Sequence, residues 1–343
     1  MSTYGEYASS ILNGRAERRP LPGLAAYHWE GRVPKLDRVR NISSTGVYLQ
    51  TPDRWEPGEV VTLTLQREGP PRMGFDNCVR LTTKAVRWGD DGVGLAFDLL
   101  DHEDLRLWDS PLKTDASHTQ PEDILREFRV ASALAFIRRI APGSANEVRR
   151  LLREGLSNYR VESAVNIALK AESLTATRPD TYSLKVNPQV ALRILEGGSW
   201  AEDEWVRMMW AGLLASSLSP EGQDDSNLLL VNSLGQLTTV HFRILTAACM
   251  RASQMATGFG WSYSKQSGCT LEELMKVTGA RDKLRIEREI EHLADLGLLE
   301  HREKSPSFME DKEPNVVPTT LGQKLWSSCE GNQSSSAATP FLV

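Results

Sequence analysis

The sequence predicts a multidomain α+β protein in which an antiparallel β-barrel precedes a largely helical region. Between Gly23 and Asp98, β-favouring runs alternate with turn residues at hairpin spacing, a pattern typical of a small barrel or sandwich. From Pro121 onward, apolar residues recur with the 3.6-residue period of amphipathic helices. A chain of 343 residues is long enough for two or three domains, each with its own core.

Six runs of β-favouring residues make up the predicted barrel. They cover residues 24–29, 38–42, 47–51, 60–66, 79–88 and 93–97. Six strands suit a small closed barrel, and residues 101–108 predict a short helix across its end. The polar stretch from Ser110 to Pro121 contains two prolines and has no apolar period. We therefore expect a barrel domain with an N-terminal arginine arm at 1–110, and a linker at 111–120.

Five amphipathic segments predict a helical domain at 121–235. The first begins at Pro121, which suits the first position of a helix, and the others cover 145–156, 161–174, 188–195 and 202–218. Acidic residues open the last of these segments, where they suit the positive end of the helix dipole. Because Val206, Met209 and Trp210 share one apolar face, 202–218 is the strongest helix of the region.

A further module is predicted at 236–330, followed by a flexible tail at 331–343. Its helices cover 239–252, 271–277, 283–296 and 320–329, and Thr270 and Glu273 have the spacing of a capping box. Two strand-like runs at 298–301 and 316–319 resemble the wing of a winged helix. The second helix of a winged helix commonly enters the major groove of DNA.

The charge of this module disfavours DNA binding. From Thr270 to Glu300 there are five basic and eight acidic residues, and the whole chain has a net charge of −5. A surface that reads a groove needs a positive surplus to engage phosphates. A basic edge could be formed only by Arg281, Lys283, Arg285 and Arg288. A protein-contact or structural role is therefore preferred for the module.

Two short motifs near the N-terminus predict a ligand site rather than a catalytic site. Arg15 and Arg19 form an R-x-x-x-R pair, and guanidinium groups can stack on purines or donate two parallel hydrogen bonds to guanine O6 and N7. Asn41, Ser43 and Gly46 form an N-x-S-x-x-G turn that presents an amide, a hydroxyl and a glycine. From Arg15 to Arg40 there are seven basic and three acidic residues, a local surplus that suits a phosphate-bearing ligand.

Together, these motifs resemble those of the PilZ family of cyclic-di-GMP receptors, in which Asp or Asn begins the second motif. The likeness continues through Trp55–Val61 and the closing hairpin of Ala85–Phe97, and it covers the first third of the chain. It implies a six-stranded antiparallel PilZ-like β-barrel that binds cyclic-di-GMP. The implied ligand-binding residues are Arg15, Arg18, Arg19, Asn41, Ser43 and Gly46, of which Arg18 either assists Arg19 or faces solvent.

The stretch from Val186 to Ala252 is similar to the Abi-alpha family, which is linked to abortive infection. The likeness consists of Asn187-Pro188 before a helix, an acidic start leading into Trp210–Ser216, and Leu237–Thr239 before the next helix. Pro318–Gly322 also fits the way such chains end. The resemblance implies a part in phage defence without stating a chemistry.

The sequence predicts no catalytic residue, metal site or cofactor. The six histidines are scattered without an H-E-x-x-H motif, and the four cysteines lack C-x-x-C spacing or a plausible base beside them. There is no run of about 18 apolar residues, so a membrane span is not expected. The N-terminus has no signal-peptide pattern, and we therefore expect a cytoplasmic protein.

The leading hypothesis is a cytoplasmic, non-enzymatic sensor. In it, the barrel binds cyclic-di-GMP, and the helical remainder changes its contact with a protein partner. One alternative is a winged-helix DNA-binding transcriptional regulator. Another is an abortive-infection effector whose PilZ-like barrel has lost its ligand. The predicted fold is the same in each case: a PilZ-like barrel, an all-α region and a winged-helix-like C-terminal module.

Overall fold

The computed structural model describes residues 20, 22–31, 33–43, 45–68, 78–98, 121–176, 178–256, 268–302 and 315–330. Within these ranges the chain forms eight β-strands and ten α-helices. It divides into two compact units between Ala135 and Phe136. The predicted helix at 101–108, the predicted linker and the predicted tail lie outside the described residues.

The N-terminal unit contains a closed antiparallel barrel, which confirms the predicted six strands. The strands are β1 (Leu24–Glu30), β2 (Val33–Ser43), β3 (Gly46–Gln50), β4 (Val60–Arg67), β5 (Cys78–Trp88) and β6 (Gly92–Phe97), in the closed order β1-β2-β3-β6-β5-β4. The second strand begins five residues before its predicted start. The reason is that the β1–β2 hairpin keeps its pairing out to Glu30 and Val33.

Alternating residues of the strands fill the barrel. Leu49, Leu63 and Leu65 are fully buried, as are matching apolar residues of β5 and β6. The first half of helix α1 (Pro121–Ile140) adds Ile124, Leu125, Phe128 and Ala131 to the same apolar cluster. A helix that the 3.6-residue period predicts thus begins as part of the core of the barrel.

Two β-bulges interrupt the alternation. One places Arg40 as an extra residue between Val39 and Asn41, and the other places Val86 between Ala85 and Arg87. An extra residue shifts the alternation, so the residues after each bulge face the opposite side from the one that a regular strand would give them. Both bulges lie close to the predicted ligand motif, and neither is visible in the hydrophobic pattern.

The C-terminal unit is mainly helical, as predicted. Its elements are the rest of α1, then α2 (Ala145–Arg150), α3 (Asn158–Thr175), α4 (Pro188–Gly198), α5 (Glu204–Ser216), α6 (Asn227–Leu234), α7 (Thr239–Ala256), α8 (Leu271–Thr278), α9 (Lys283–Asp295), β7 (Leu299–Arg302), β8 (Asn315–Pro318) and α10 (Thr320–Cys329). None of the described helices is long and apolar enough to cross a membrane.

Two predictions for this unit differ from the structure. The helix expected at 145–156 changes after Arg150 to a π-helical turn, Leu151–Gly155, and ends in extended backbone at Leu156. The short helix α6 was not predicted, because its consecutive apolar residues, Leu228 to Val231, lack a 3.6-residue stripe.

The ends of the helices follow local capping chemistry. Asp203 Oδ1 accepts hydrogen bonds from the backbone N–H groups of Trp205 and Val206 at 2.8 and 3.4 Å, so α5 begins where this cap places it. The predicted capping box is confirmed at α8. Thr270 Oγ1 accepts from Glu273 N at 3.3 Å, and Glu273 Oε2 accepts from Thr270 N at 2.9 Å.

Helix α5 lies at the centre of the C-terminal unit. Leu213 and Leu214 on it are fully buried, and it packs against α3, α4 and α10. The approach to α10 is close. A Cβ built on Gly212 would lie 1.6 Å from the carbonyl oxygen of Cys329, so only glycine fits at this crossing. The two-stranded sheet of β7 and β8 follows α8 and α9 in the predicted order of helix, helix and hairpin.

Candidate ligand site

The structure brings together the second predicted motif at the turn between β2 and β3. Ser43 pairs with Gly46 and Asn41 pairs with Tyr48 across this hairpin. The predicted arginines Arg15, Arg18 and Arg19 lie outside the described residues, so their position relative to the turn stays a prediction.

The hydroxyl of Ser43 stabilises the turn itself. Ser43 Oγ donates to the carbonyl oxygen of Gly46 at 3.2 Å and lies 3.3 Å from Thr45 Oγ1. Because the single proton of Ser43 is used on Gly46, Thr45 is the donor in the second contact. Ser43 is buried. The hydroxyl therefore holds the bend in shape, and it can still accept a hydrogen bond.

Gly46 is required by the neighbouring strand. A Cβ at this position would lie 2.3 Å from the carbonyl oxygen of Leu95 on β6, well inside the distance that side chains tolerate. The backbone of β3 can therefore approach β6 only with glycine here. The glycine of the motif serves the closure of the barrel at the same place where it borders the candidate site.

Asn41 has a buried acceptor without a partner. Its Oδ1 atom is shielded from solvent and makes no hydrogen bond within the part of the chain that the structure describes. A buried polar atom left unpaired costs about 1–3 kcal/mol. Such atoms are uncommon, and they mark a position where a donor is expected. Among the described residues, this oxygen of the predicted motif is therefore left able to accept a hydrogen bond.

A polar cluster around Asp91 ties strands β2 and β3 to the β5–β6 turn. The carboxylate of Asp91 accepts from Arg40 Nη1 at 3.1 and 3.2 Å, from Tyr48 OH at 2.8 Å and from Gln50 Nε2 at 2.7 Å. The hydrogen bonds from Gln50 and Tyr48 lower the pKa of Asp91. Burial, and then Asp91 itself, raises the pKa of Tyr48. The cluster fixes the bulge at Arg40, next to Asn41.

A cavity of about 200 Å³ lies beside Gly46. It is lined by Thr45 and Gly46 of the turn, Val86 and Arg87 at the bulge of β5, and residues 94–96 of β6. Pockets that enclose a whole drug-sized ligand measure roughly 300–1,000 Å³. This cavity is therefore smaller than a pocket that encloses a whole ligand of that size. Sequence analysis missed Arg87 because it belongs to neither motif.

A second polar cluster lies around the buried residue His28. Its Nδ1 atom is 2.7 Å from Asp37 Oδ2, and its Nε2 atom is 2.9 Å from Asp53 Oδ2. Trp55 contacts the imidazole edge to face at 4.8 Å, and Lys35 Nζ lies 3.4 Å from both oxygens of Asp53. The sequence alone could not identify the two carboxylates that flank His28.

The C-terminal unit has its own buried histidine, His241, near the start of α7. His241 Nδ1 accepts from the backbone N–H of Thr238 at 3.0 Å, and Nε2 lies 2.6 Å from Glu289 Oε2. Burial lowers the pKa of His241 despite the opposing effect of Glu289. Among the described residues, no group of three or more His, Cys, Asp or Glu could hold a metal ion.

Comparison with known proteins concerns the C-terminal unit. No curated protein matches the chain. Residues 162–329 match the model of the family described as abortive infection alpha. This confirms the resemblance inferred from Val186–Ala252 and extends it from within α3 to the end of α10, including the β7–β8 hairpin. Over these residues the chain is similar to the abortive infection alpha family, and the match points to a defence-related role.

Proposed function

We propose that the chain is a non-catalytic, cyclic-di-GMP-responsive protein of phage defence. In this proposal Arg15 and Arg19 hold guanine edges and phosphates, with Arg18 as an accessory cation. Asn41, Ser43 and the backbone at Gly46 hold the other side of the ligand. The helical C-terminal unit, similar to abortive infection alpha, carries the contact with a protein partner.

The observation that carries the proposal is the unpaired Oδ1 of Asn41 in the turn of a closed six-stranded barrel. An amide oxygen complements the N–H donors of guanine, whose N2 amino group is a donor that adenine lacks. Ligand would bring the arginine arm onto the turn and create a surface that exists only in the bound state. That surface is the proposed signal to the partner.

Calorimetric titration of the full chain with cyclic-di-GMP, cyclic-di-AMP and a mixed cyclic dinucleotide tests the binding step. Arg19→Ala should abolish binding of cyclic-di-GMP and leave the melting temperature almost unchanged. Arg80→Ala, which removes an exposed arginine of β5, is the matched control and should bind normally. Retained affinity in Arg19→Ala would rule out the arm as part of the site.

Asn41 offers a sharper comparison. Asn41→Asp keeps an acceptor oxygen at the same place and should bind cyclic-di-GMP, whereas Asn41→Leu removes the acceptor and should weaken binding about tenfold or more. Equal affinity of the two variants would show that the buried oxygen does not meet the ligand.

The defence step is tested by plaque counts on cells that express the chain. Protection by the unchanged chain and its loss in Arg19→Ala would support ligand-controlled defence. Protection that persists in Arg19→Ala, together with no nucleotide binding, would favour the effector with a ligand-free barrel.

One observation favours DNA binding as a second candidate function. Lys283, Arg285 and Arg288 are exposed on α9, the second helix of the helix, helix and hairpin series. A salt-dependent gel shift that is lost in Arg285→Ala/Arg288→Ala, but kept in the exposed control Arg193→Ala, would support a winged-helix regulator. No shift at low salt would dismiss it.

A further inference from the structure

Arg87 is a cation at the cavity beside Gly46 that neither sequence motif contains. It is exposed, and no ion pair or side-chain hydrogen bond involves it in the described part of the chain. Two other arginines of the barrel have partners: Arg40 pairs with Asp91, and Arg54 donates to the carbonyl oxygen of Gly89. Arg87 therefore has its hydrogen-bond donors available for a ligand.

The fold directs Arg87 toward the motif. The bulge at Val86 sets Arg87 opposite Gly94 on β6. A Cβ built on Gly94 would lie 3.3 Å from Arg87 Cγ and 3.5 Å from Arg87 Nε, so the arginine side chain occupies the space above this glycine. Gly94 pairs with Tyr48 on the next strand, β3, and Tyr48 in turn pairs with Asn41 of the motif on β2. The side chain thus lies across β6 on the side of the cavity.

The lining of the cavity favours a flat base over a phosphate. Arg87 is the one cation of its lining, and the exposed side chain of Val86 gives it an apolar edge, whereas the side chain of Leu95 belongs to the core of the barrel. A phosphate is usually held by several backbone N–H groups or several cations, whereas a purine needs an apolar face and a few donors on its edge. A guanidinium fork matches the O6 and N7 acceptors of guanine.

We infer that Arg87 binds a guanine base in this cavity, as a specificity-determining residue of the ligand site. The inference rests on the proposed function, since cyclic-di-GMP has two guanines. The arginine arm would take one and Arg87 the other. Adenine carries an N6 amino donor where guanine carries O6, so its edge opposes the donors of Arg87. Arg87 therefore selects against cyclic-di-AMP.

Calorimetry on the full chain tests this inference. Arg87→Ala should weaken cyclic-di-GMP binding about tenfold or more, as expected for loss of a bidentate contact to guanine. The affinity of this variant for cyclic-di-AMP should not fall. The ratio of its affinities for cyclic-di-GMP and cyclic-di-AMP should therefore decrease about tenfold or more. If Arg87 only stabilised the fold, its removal would weaken the binding of both ligands by the same factor. Arg87→Lys keeps the charge without the fork and should recover only part of the affinity.

The outcomes separate the two proposals. Arg80→Ala on the same strand is the control and should match the unchanged protein. If Arg87→Ala binds cyclic-di-GMP as tightly as the unchanged protein, while Arg19→Ala abolishes binding, the role of Arg87 is overturned and the proposed function stands. If Arg87→Ala loses affinity for cyclic-di-GMP and cyclic-di-AMP by the same factor, the role of Arg87 in specificity is overturned. If the unchanged protein binds no cyclic dinucleotide, both proposals fail.

Discussion

Removal of His28 is expected to destabilise the barrel strongly. Both ring nitrogens of His28 lie within hydrogen-bond distance of carboxylate oxygens, at 2.7 Å from Asp37 and 2.9 Å from Asp53. His28 therefore joins Asp37 and Asp53 in one polar cluster around a buried imidazole. Asp37 is only 4% exposed, and His28 is its one side-chain partner within the described ranges.

The magnitude follows from this burial. Removing the partner of a buried carboxylate costs about 3–5 kcal/mol, because the carboxylate stays buried without compensation. Loss of the edge-to-face contact with Trp55 adds about 0.5–1.5 kcal/mol. His28→Ala should therefore lower the free energy of unfolding of the barrel by roughly 4–6 kcal/mol, a large part of the 5–15 kcal/mol typical of a domain.

Hydrogen exchange at the amides of β1 and β4 in the full chain measures this loss, because it reports the opening of the barrel alone. The exposed pair of Arg40 and Asp91 provides the control: Arg40→Ala should change protection by at most about 1 kcal/mol. The double variant His28→Ala/Asp37→Ala no longer has the buried carboxylate that His28→Ala leaves without a partner. Its free energy of unfolding should therefore be about 1–3 kcal/mol higher than the sum of the two single-variant losses predicts. Additive effects, or a loss below about 1 kcal/mol in His28→Ala, would refute the reasoning.

Three further predictions concern the C-terminal unit and the thiols. Gly212→Ala should lower the melting temperature by several degrees, because its Cβ would meet the carbonyl oxygen of Cys329 at 1.6 Å, whereas Gly235→Ala, in ordinary contact, should not. In the unfolded chain His241 takes up a proton near pH 6.5, but burial lowers the pKa of its imidazole in the folded chain. The free energy of unfolding should therefore fall as the pH drops below about 6.5. If His241→Asn shows the same dependence of the free energy of unfolding on pH as the unchanged chain, this explanation is wrong. Ellman's reagent should modify exposed Cys78 in the native protein but reach the buried thiols only after unfolding, since burial raises the pKa of Cys249 to about 12 and of Cys269 to about 11.

Local chemistry made most elements predictable. The apolar alternation of β4 and β5 and the 3.6-residue stripes of α4 and α9 are properties of short segments, and the structure has the predicted elements there. Caps are local as well, so the box of Thr270 and Glu273 could be recognised from its spacing. The N-x-S-x-x-G turn was located correctly between two strands for the same reason.

The surroundings of the candidate site were less predictable. Asp91 lies in a turn where an Asp-Gly pair is ordinary, and only the folded barrel brings its carboxylate to Tyr48, 43 positions earlier in the chain. Arg87 follows a bulge, and a bulge depends on pairing between strands rather than on the sequence of one strand. The abortive infection alpha match also covers residues 162–185 and 253–317, which the resemblance of Val186–Ala252 and Pro318–Gly322 did not include, because apolar and capping residues recur in many helical domains.

The sequence by itself determined the order of strands and helices, the change from barrel to helices, and the turn that carries Asn41, Ser43 and Gly46. Each of these depends on residues within one or two turns of each other, where periodicity and capping act. The tertiary structure decided which groups meet: His28 between two carboxylates, Arg87 above Gly94, and the unpaired oxygen of Asn41. Such meetings depend on the closure of the barrel and on the register of its strands, which join residues far apart in the chain.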